Sequence, residues 1–240
     1  MELIRVKDYH DMSDMLVKIF ARQIRSKPDS VLSFTTGKTP EEFLEKLADA
    51  VNAGLDISKC ICLNLDEYVG GRDMPYSVSA FMDNHFYSRL SVKPGEIYGL
   101  NGEAPDQELE LKRYGEILGE YVRDIQLLGL GTNGHIGANE PGTSFNSALF
   151  VADSCASTMR ATKEFFGLQD EQVPTQMYTM GIKDILAARH IVLAASGRSK
   201  AWAVKAAIEG EITEMVPASV LRRHEHVTII IDDEAGTLLE

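Results

Sequence analysis

The stretch Gly131-Thr132-Asn133-Gly134-His135-Ile136-Gly137 sets one histidine among three glycines, and Glu140 follows five residues after the histidine. Glycines of this density mark a tight turn that leaves the backbone open to a ligand. A histidine there can shuttle a proton near neutral pH, and a nearby carboxylate can orient its ring. A zinc site is excluded by the absence of a second histidine at helical or strand spacing and of HExxH. Asp66 and Glu67 form a second centre: one carboxylate in a cleft can move protons on carbon beside a carbonyl or imine, and the alternative is a solvated acidic turn. Thr36-Gly37-Lys38-Thr39 and Ser196-Gly197-Arg198-Ser199-Lys200 each precede a predicted helix. Free N–H groups, hydroxyls and lysines at such a start suit an anion, though without the spacing of a P-loop. Ordinary capped turns and a solvated lysine are the alternatives. The other histidines (10, 85, 190, 224 and 226) read as structural or surface, and Trp202 as core.

These residues follow short apolar runs. Val31–Phe34, Ile61–Leu65, Ile125–Leu130, Ile191–Ala195 and Val227–Ile231 are apolar at consecutive positions, as in strands buried on both faces of a parallel sheet. Helices are predicted over Pro40–Val51, with Thr39 as N-cap, over Tyr76–Leu90, and over Ser199–Ile208. Alternating strands and helices predict an α/β fold, doubly wound, with a mostly parallel sheet and helices on both faces (Rossmann-like). Ligands of such folds bind beyond the carboxyl ends of the strands, where the singled-out residues fall.

The 240 residues suit a single domain over 1–240, and 44% hydrophobic residues support a sizeable core. A net charge of −12 argues against nucleic acid and anionic membrane partners. No run reaches the ~18–20 apolar residues of a membrane span, and the charged N-terminus is unlike a secretory signal, so a cytoplasmic location is expected. Cys60, Cys62 and Cys155 are too few for a disulfide framework; Cys60 and Cys62, on one side of a strand, read as buried small hydrophobes.

Seven segments in order, TTGKTP, LNLDEYVG, YSVSAFMDNHF, LLGLGTNGHIGANEPGTSF, VPTQMYTMGI, AASGRSKAWAV and PASVLRRH, span nearly the whole chain. Together they resemble the glucosamine-6-phosphate deaminase family, within the larger group that includes 6-phosphogluconolactonases. The resemblance implies conversion of a 2-amino-2-deoxyhexose 6-phosphate to a ketose 6-phosphate and ammonia, with no cofactor and no metal. It implies that Asp66 moves a proton between C2 and C1, that His135 opens the ring, and that Glu140 pairs with His135. The Thr36–Thr39 loop and Lys200 match phosphate-binding positions. Asp66, His135, Glu140 and Asn133 are therefore the candidate catalytic residues; Thr36, Gly37, Lys38, Thr39, Glu67, Gly134, Lys200 and Arg160 are the candidate substrate contacts. The expected partner is a small-molecule amino sugar phosphate, and a homo-oligomer is compatible with the family.

Several positions depart from the family pattern. Asn133 stands where many members have Asp. Met159 aligns with a phosphate-binding Arg, leaving Arg160 one place off, while Lys38 replaces a small residue and is expected to carry part of the phosphate's charge. Ser147-Ala148-Leu149-Phe150 replaces an arginine-bearing stretch tied to allosteric anion binding in regulated members, and the chain ends soon after VTIIIDDEAG, so such regulation is not expected. Galactosamine-6-phosphate deaminase/isomerases are similar in lacking those arginines, which leaves both C4 epimers open. A lactonase-type hydrolase, whose usual DGHTASLFP differs from NGHIGANEP, and a non-catalytic sugar-phosphate sensor are the competing readings. A segment near Thr158–Gln176 would suit water exclusion if it closed over the site; the sequence does not decide whether it does.

Overall fold

The computed structural model describes residues 1–240. In chain order the elements are β1 (Glu2–Val6), α1 (Tyr9–Ser26), β2 (Val31–Phe34), α2 (Glu41–Asn52), β3 (Ile61–Asn64), β4 (Asp66–Tyr68), α3 (Val78–His85), β5 (Glu96–Tyr98), α4 (Gln107–Glu120) and β6 (Ile125–Gly129). There follow β7 (Phe150–Asp153), α5 (Ala156–Phe166), β8 (Gln176–Thr179), α6 (Ile182–Leu186), β9 (Ile191–Ala195), α7 (Ala201–Ile208) and β10 (Val227–Asp232). Seven strands form one sheet in the order β1-β10-β9-β6-β2-β3-β5, and every pairing in it is parallel.

The consecutive apolar runs have the predicted cause. Along β9, Val192 and Ala194 enter a core with α1, α2 and α3, while Ile191, Leu193 and Ala195 enter another with α6 and α7. Side chains alternate between two faces, and helices cover both, so both faces are mainly apolar, with Ser33, Gln126 and Thr228 as buried polar exceptions. Cys60 and Cys62 are buried in the first of these cores, as expected.

The chain winds outward in both directions from the β6–β2 junction, which is the topological switch point. Four neighbouring strands, β9, β6, β2 and β3, release their carboxyl ends around this crevice. The segments that follow them carry Lys200, His135 with Glu140, the Thr36–Thr39 loop, and Asp66. A separate three-stranded antiparallel sheet, β4-β8-β7, lies in this region. It was not foreseen, and Asp66 sits on it rather than in a turn.

Local boundaries differ from expectation in three places. Helix α2 begins at Glu41 with Pro40 at the cap and no side-chain cap from Thr39. Tyr9 supplies the acceptor instead, its hydroxyl oxygen lying 3.2 Å from the Glu42 amide. Helix α3 is shorter than Tyr76–Leu90: Ser77 caps it by accepting from the Ala80 amide, and a 3-10 turn over Tyr87–Arg89 follows it. Trp202 is 54% exposed, not core, because α7 buries Ala203, Val204 and Ala207, and Trp202 lies off that stripe.

Candidate active site

The loop after β6 is held in one shape by its own backbone. The Gly131 amide donates to the His135 carbonyl at 2.9 Å, and the Gly134 amide donates to the Gly131 carbonyl at 3.0 Å. Gly134 takes φ +88°, where other residues are strained. The His135 ring packs against Gly131 so closely that a Cβ there would meet three ring atoms at 2.4 Å. Buried Asn139 pins the far side, donating from Nδ2 to the carbonyls of Ile136 and Met180, each at 2.9 Å.

Within this frame Glu140 faces His135. Nδ1 of the ring is buried and makes no hydrogen bond; it faces Oε2 of Glu140 at 3.4 Å, within ion-pair reach, and Nε2 is not buried. Asn133 Nδ2 donates to the same Oε2 at 2.8 Å, while Asn133 Oδ1 accepts from the His135 amide at 3.1 Å. Thr158, from α5, donates to Oε1. Burial pushes the Glu140 carboxyl up, yet the facing His135, with the Thr158 and Asn133 donors, pulls it down to about 2. Asn133 is an amide donor to Glu140, which an ionised Asp at that position could not be.

Asp66 has the opposite environment. It is 6% exposed, and burial, followed by the charge of Glu67, pushes its carboxyl up to about 7, with no hydrogen bond opposing. In register Asp66 lies opposite Thr179 of β8, and Thr179 Oγ1 accepts from the Ala138 amide at 3.1 Å. That strand ties the base to the His135 loop.

Glu67, expected as a substrate contact, is held by the protein's own donors. Its carboxylate accepts from the amides of Tyr68 and Val78 (2.9 and 2.8 Å) and from the amide and hydroxyl of Ser79 (2.9 and 2.8 Å). These protein donors fill its capacity and fix the start of α3. Gly134 likewise spends its N–H on Gly131 and its carbonyl on the Ala218 amide.

The anion side is less committed. No backbone N–H of Thr36, Gly37, Lys38 or Thr39 donates to another backbone group, and Gly37 takes φ +98°. Lys38 is exposed, its carbonyl accepting from the Tyr9 hydroxyl at 2.8 Å. Lys200, at the N-cap of α7, is half-buried, forms no ion pair, and has its pKa lowered by burial. A half-buried ammonium without an acidic partner is set up to receive an anion. Arg160 is not brought to the site. It is exposed and lies two residues from Thr158, about 200° around the helix. The half-buried residue on the inward side is Met159. Thr158, Tyr68 and Thr179 are site neighbours that the sequence did not single out, because isolated hydroxyls carry no spacing signal.

Two carboxyls of opposed proton affinity, a histidine between glycines and a half-buried lysine without an acidic partner are groups suited to acid–base chemistry on a small anion. The sequence model for glucosamine-6-phosphate isomerases/6-phosphogluconolactonase matches residues 8–230, and the chain belongs to that family. It is 43% identical over 240 residues to the glucosamine-6-phosphate deaminase of Listeria welshimeri and 42% over 241 residues to that of Streptococcus gordonii, all of both chains being covered in each case. A solved structure described as a monomeric glucosamine-6-phosphate deaminase superposes with TM-score 0.95 at 40% identity, over 99% of this chain and 100% of that one. A 6-phosphogluconolactonase from Leishmania guyanensis, 19% identical, shares the fold with TM-score 0.80 over 100% of this chain and 98% of its own.

Proposed function

We propose that this chain converts a 2-amino-2-deoxyhexose 6-phosphate, in the gluco or galacto configuration, and water to the ketose 6-phosphate and ammonia. The observation that carries the reading is the separation of the two carboxyls, Asp66 raised to about 7 and Glu140 lowered to about 2. Environments that drive two acids apart assign them different work.

The phosphate is received by the Thr36–Thr39 amides and by Lys200, with Lys38 adding charge at the rim. His135, its Nδ1 held toward Glu140, uses Nε2 to take the proton of the anomeric hydroxyl and return it to the ring oxygen, opening the pyranose. Asp66 then takes the C2 proton, leaving an enolamine, and delivers a proton to C1. The resulting imine at C2 adds water and releases ammonia. A base poised near neutrality suits this carbon acid. The three free thiols suit a reducing compartment, and we place the activity in the cytoplasm.

The test is ammonia release coupled to ketose 6-phosphate detection, with glucosamine 6-phosphate and galactosamine 6-phosphate side by side, in deuterated water. Ammonia from one epimer with deuterium at C1 of the ketose is the expected result. Ammonia from neither, with hydrolysis of 6-phosphogluconolactone, would establish the lactonase reading instead.

A further inference from the structure

Helix α5 is attached to the body in a way that concerns the site. Among its 11 residues only Thr162 is buried. Its inward stripe is Thr158, Met159, Thr162 and Phe166, at helical spacing, continuing from Cys155 at the cap. Two hydroxyls of that stripe reach the two catalytic regions. Thr158 donates to Oε1 of Glu140, and Thr162 shares a 3.2 Å hydrogen bond with the Tyr68 hydroxyl, two residues after Asp66.

We propose that Thr158 is a positioning residue for the His135–Glu140 pair: its hydroxyl fixes the Glu140 carboxylate so that Oε2 faces Nδ1 and Nε2 is left as the working nitrogen of the ring. The inference rests on the ring-opening role given to His135 above. A glutamate carboxylate turns about its last bond with little preference, so its plane is set by its donors. Oε2 has Asn133, whereas Thr158 is the one side-chain donor to Oε1. Nδ1 and Oε2 stand 3.4 Å apart, within ion-pair reach but outside hydrogen-bond geometry, so the carboxylate acts on the ring through its facing charge and a modest turn removes it. With no carboxylate facing Nδ1, the neutral ring is free to carry its proton on Nε2, and that tautomer cannot accept one from the substrate. Cys155 Sγ, 3.4 Å from Thr158 Oγ1 and 4.0 Å from Asn133 Nδ2, packs beside both donors.

The test compares Thr158→Val, Thr158→Ser and Thr162→Val in the full chain, by steady-state kinetics and by ring ¹⁵N shifts of His135, assigned from their loss in His135→Gln. In Thr158→Val, kcat is expected to fall about 10-fold, the scale of one charge-assisted hydrogen bond, with KM within about twofold of the parent. The His135 shifts should move toward the Nε2–H tautomer. Thr158→Ser, which keeps the hydroxyl, should restore both readouts. Thr162→Val loosens the same helix but leaves the donors of Glu140 in place, so it should keep the parental shifts. The inference is overturned if Thr158→Val leaves the ring shifts unchanged, if Thr158→Ser does not restore them, or if Thr162→Val moves them equally. The shifts report on Thr158 even if the parent releases no ammonia, so failure of the proposed reaction and failure of this inference are distinguishable.

Discussion

Asp66 and Asp124 lie beyond opposite ends of the parallel strands, Asp66 just past β3 and Asp124 just before β6, with nearly the same burial, 6% and 5% exposed. Asp124 precedes β6 at the amino end. It accepts from the Val31 amide at 2.8 Å and Lys27 Nζ at 2.5 Å, and lies 3.4 Å from Arg189 Nε. Asp66, past the carboxyl end of β3, has no such partner and sits beside Glu67. At the amino end Asp124 is closed against donors and cations, and at the carboxyl end Asp66 is left uncompensated. Burial alone therefore does not separate the two carboxyls; burial without a partner does.

Amide replacements at the two positions are the sharpest way to break this comparison. Asp66→Asn is expected to lower kcat about 10³- to 10⁴-fold, the worth of a general base. The same change should raise Tm at pH 8. The folded-state pKa of Asp66 lies above the unfolded value, so ionising it opposes folding at high pH, and that penalty disappears as pH falls below the unfolded value. Melts at pH 8 and pH 4 read the difference. Asp124→Asn should do the reverse, costing about 1 kcal/mol of stability by removing the charge that the partly exposed Lys27 and Arg189 face, while kcat of the folded enzyme stays at the parental level. Asp66→Asn that destabilises, or Asp124→Asn that stabilises, would collapse the distinction.

Smaller effects sharpen it. The kcat/KM profile should lose activity as pH falls through about 7, where Asp66 takes up its proton, and Glu140, ionised down to about 2, should add no limb above pH 4. Lys200→Met should raise KM for the sugar phosphate about 30-fold, and Lys38→Ala about 5-fold, the exposed charge being worth less; an unchanged KM removes that lysine from the phosphate site. The smallest effect belongs to the amino end. His190 is buried, stacked on His226 at 3.7 Å, and lowered to about 4 by burial and then by the His226 charge. Its neutral form is the one the fold accommodates. The stability it contributes is present above its unfolded value near 6.5 and is lost as pH falls toward 4, by about 1–3 kcal/mol. His190→Gln should flatten that slope in denaturant titrations between pH 7 and pH 4.

The strands were legible because burial on both faces writes itself as consecutive apolar residues. The His135 loop was legible because Gly131 and Gly134 have steric reasons to be glycine. Helix starts were less so: the acceptor at α2 comes from Tyr9, 33 positions from the Glu42 amide that it serves. Trp202 was misplaced because α7 is apolar nearly all round, and composition does not say which side of such a helix meets the sheet. Arg160 failed for a related reason, since a one-residue offset on a helix turns a side chain by about 100°.

By itself the sequence determined the parallel sheet, the placing of chemistry after its strands, and the kinds of group that do the chemistry, since each follows from periodicity or from residue type at close spacing. Only the tertiary structure decided how those groups are partnered. Asp66 and Glu67 are chain neighbours of similar chemistry, yet one is left unpaired and the other is filled by protein donors. A carboxyl's proton affinity is set by the donors and solvent within a few ångströms, and here those donors arrive from α3, α5 and the His135 loop, which meet only when the chain is folded.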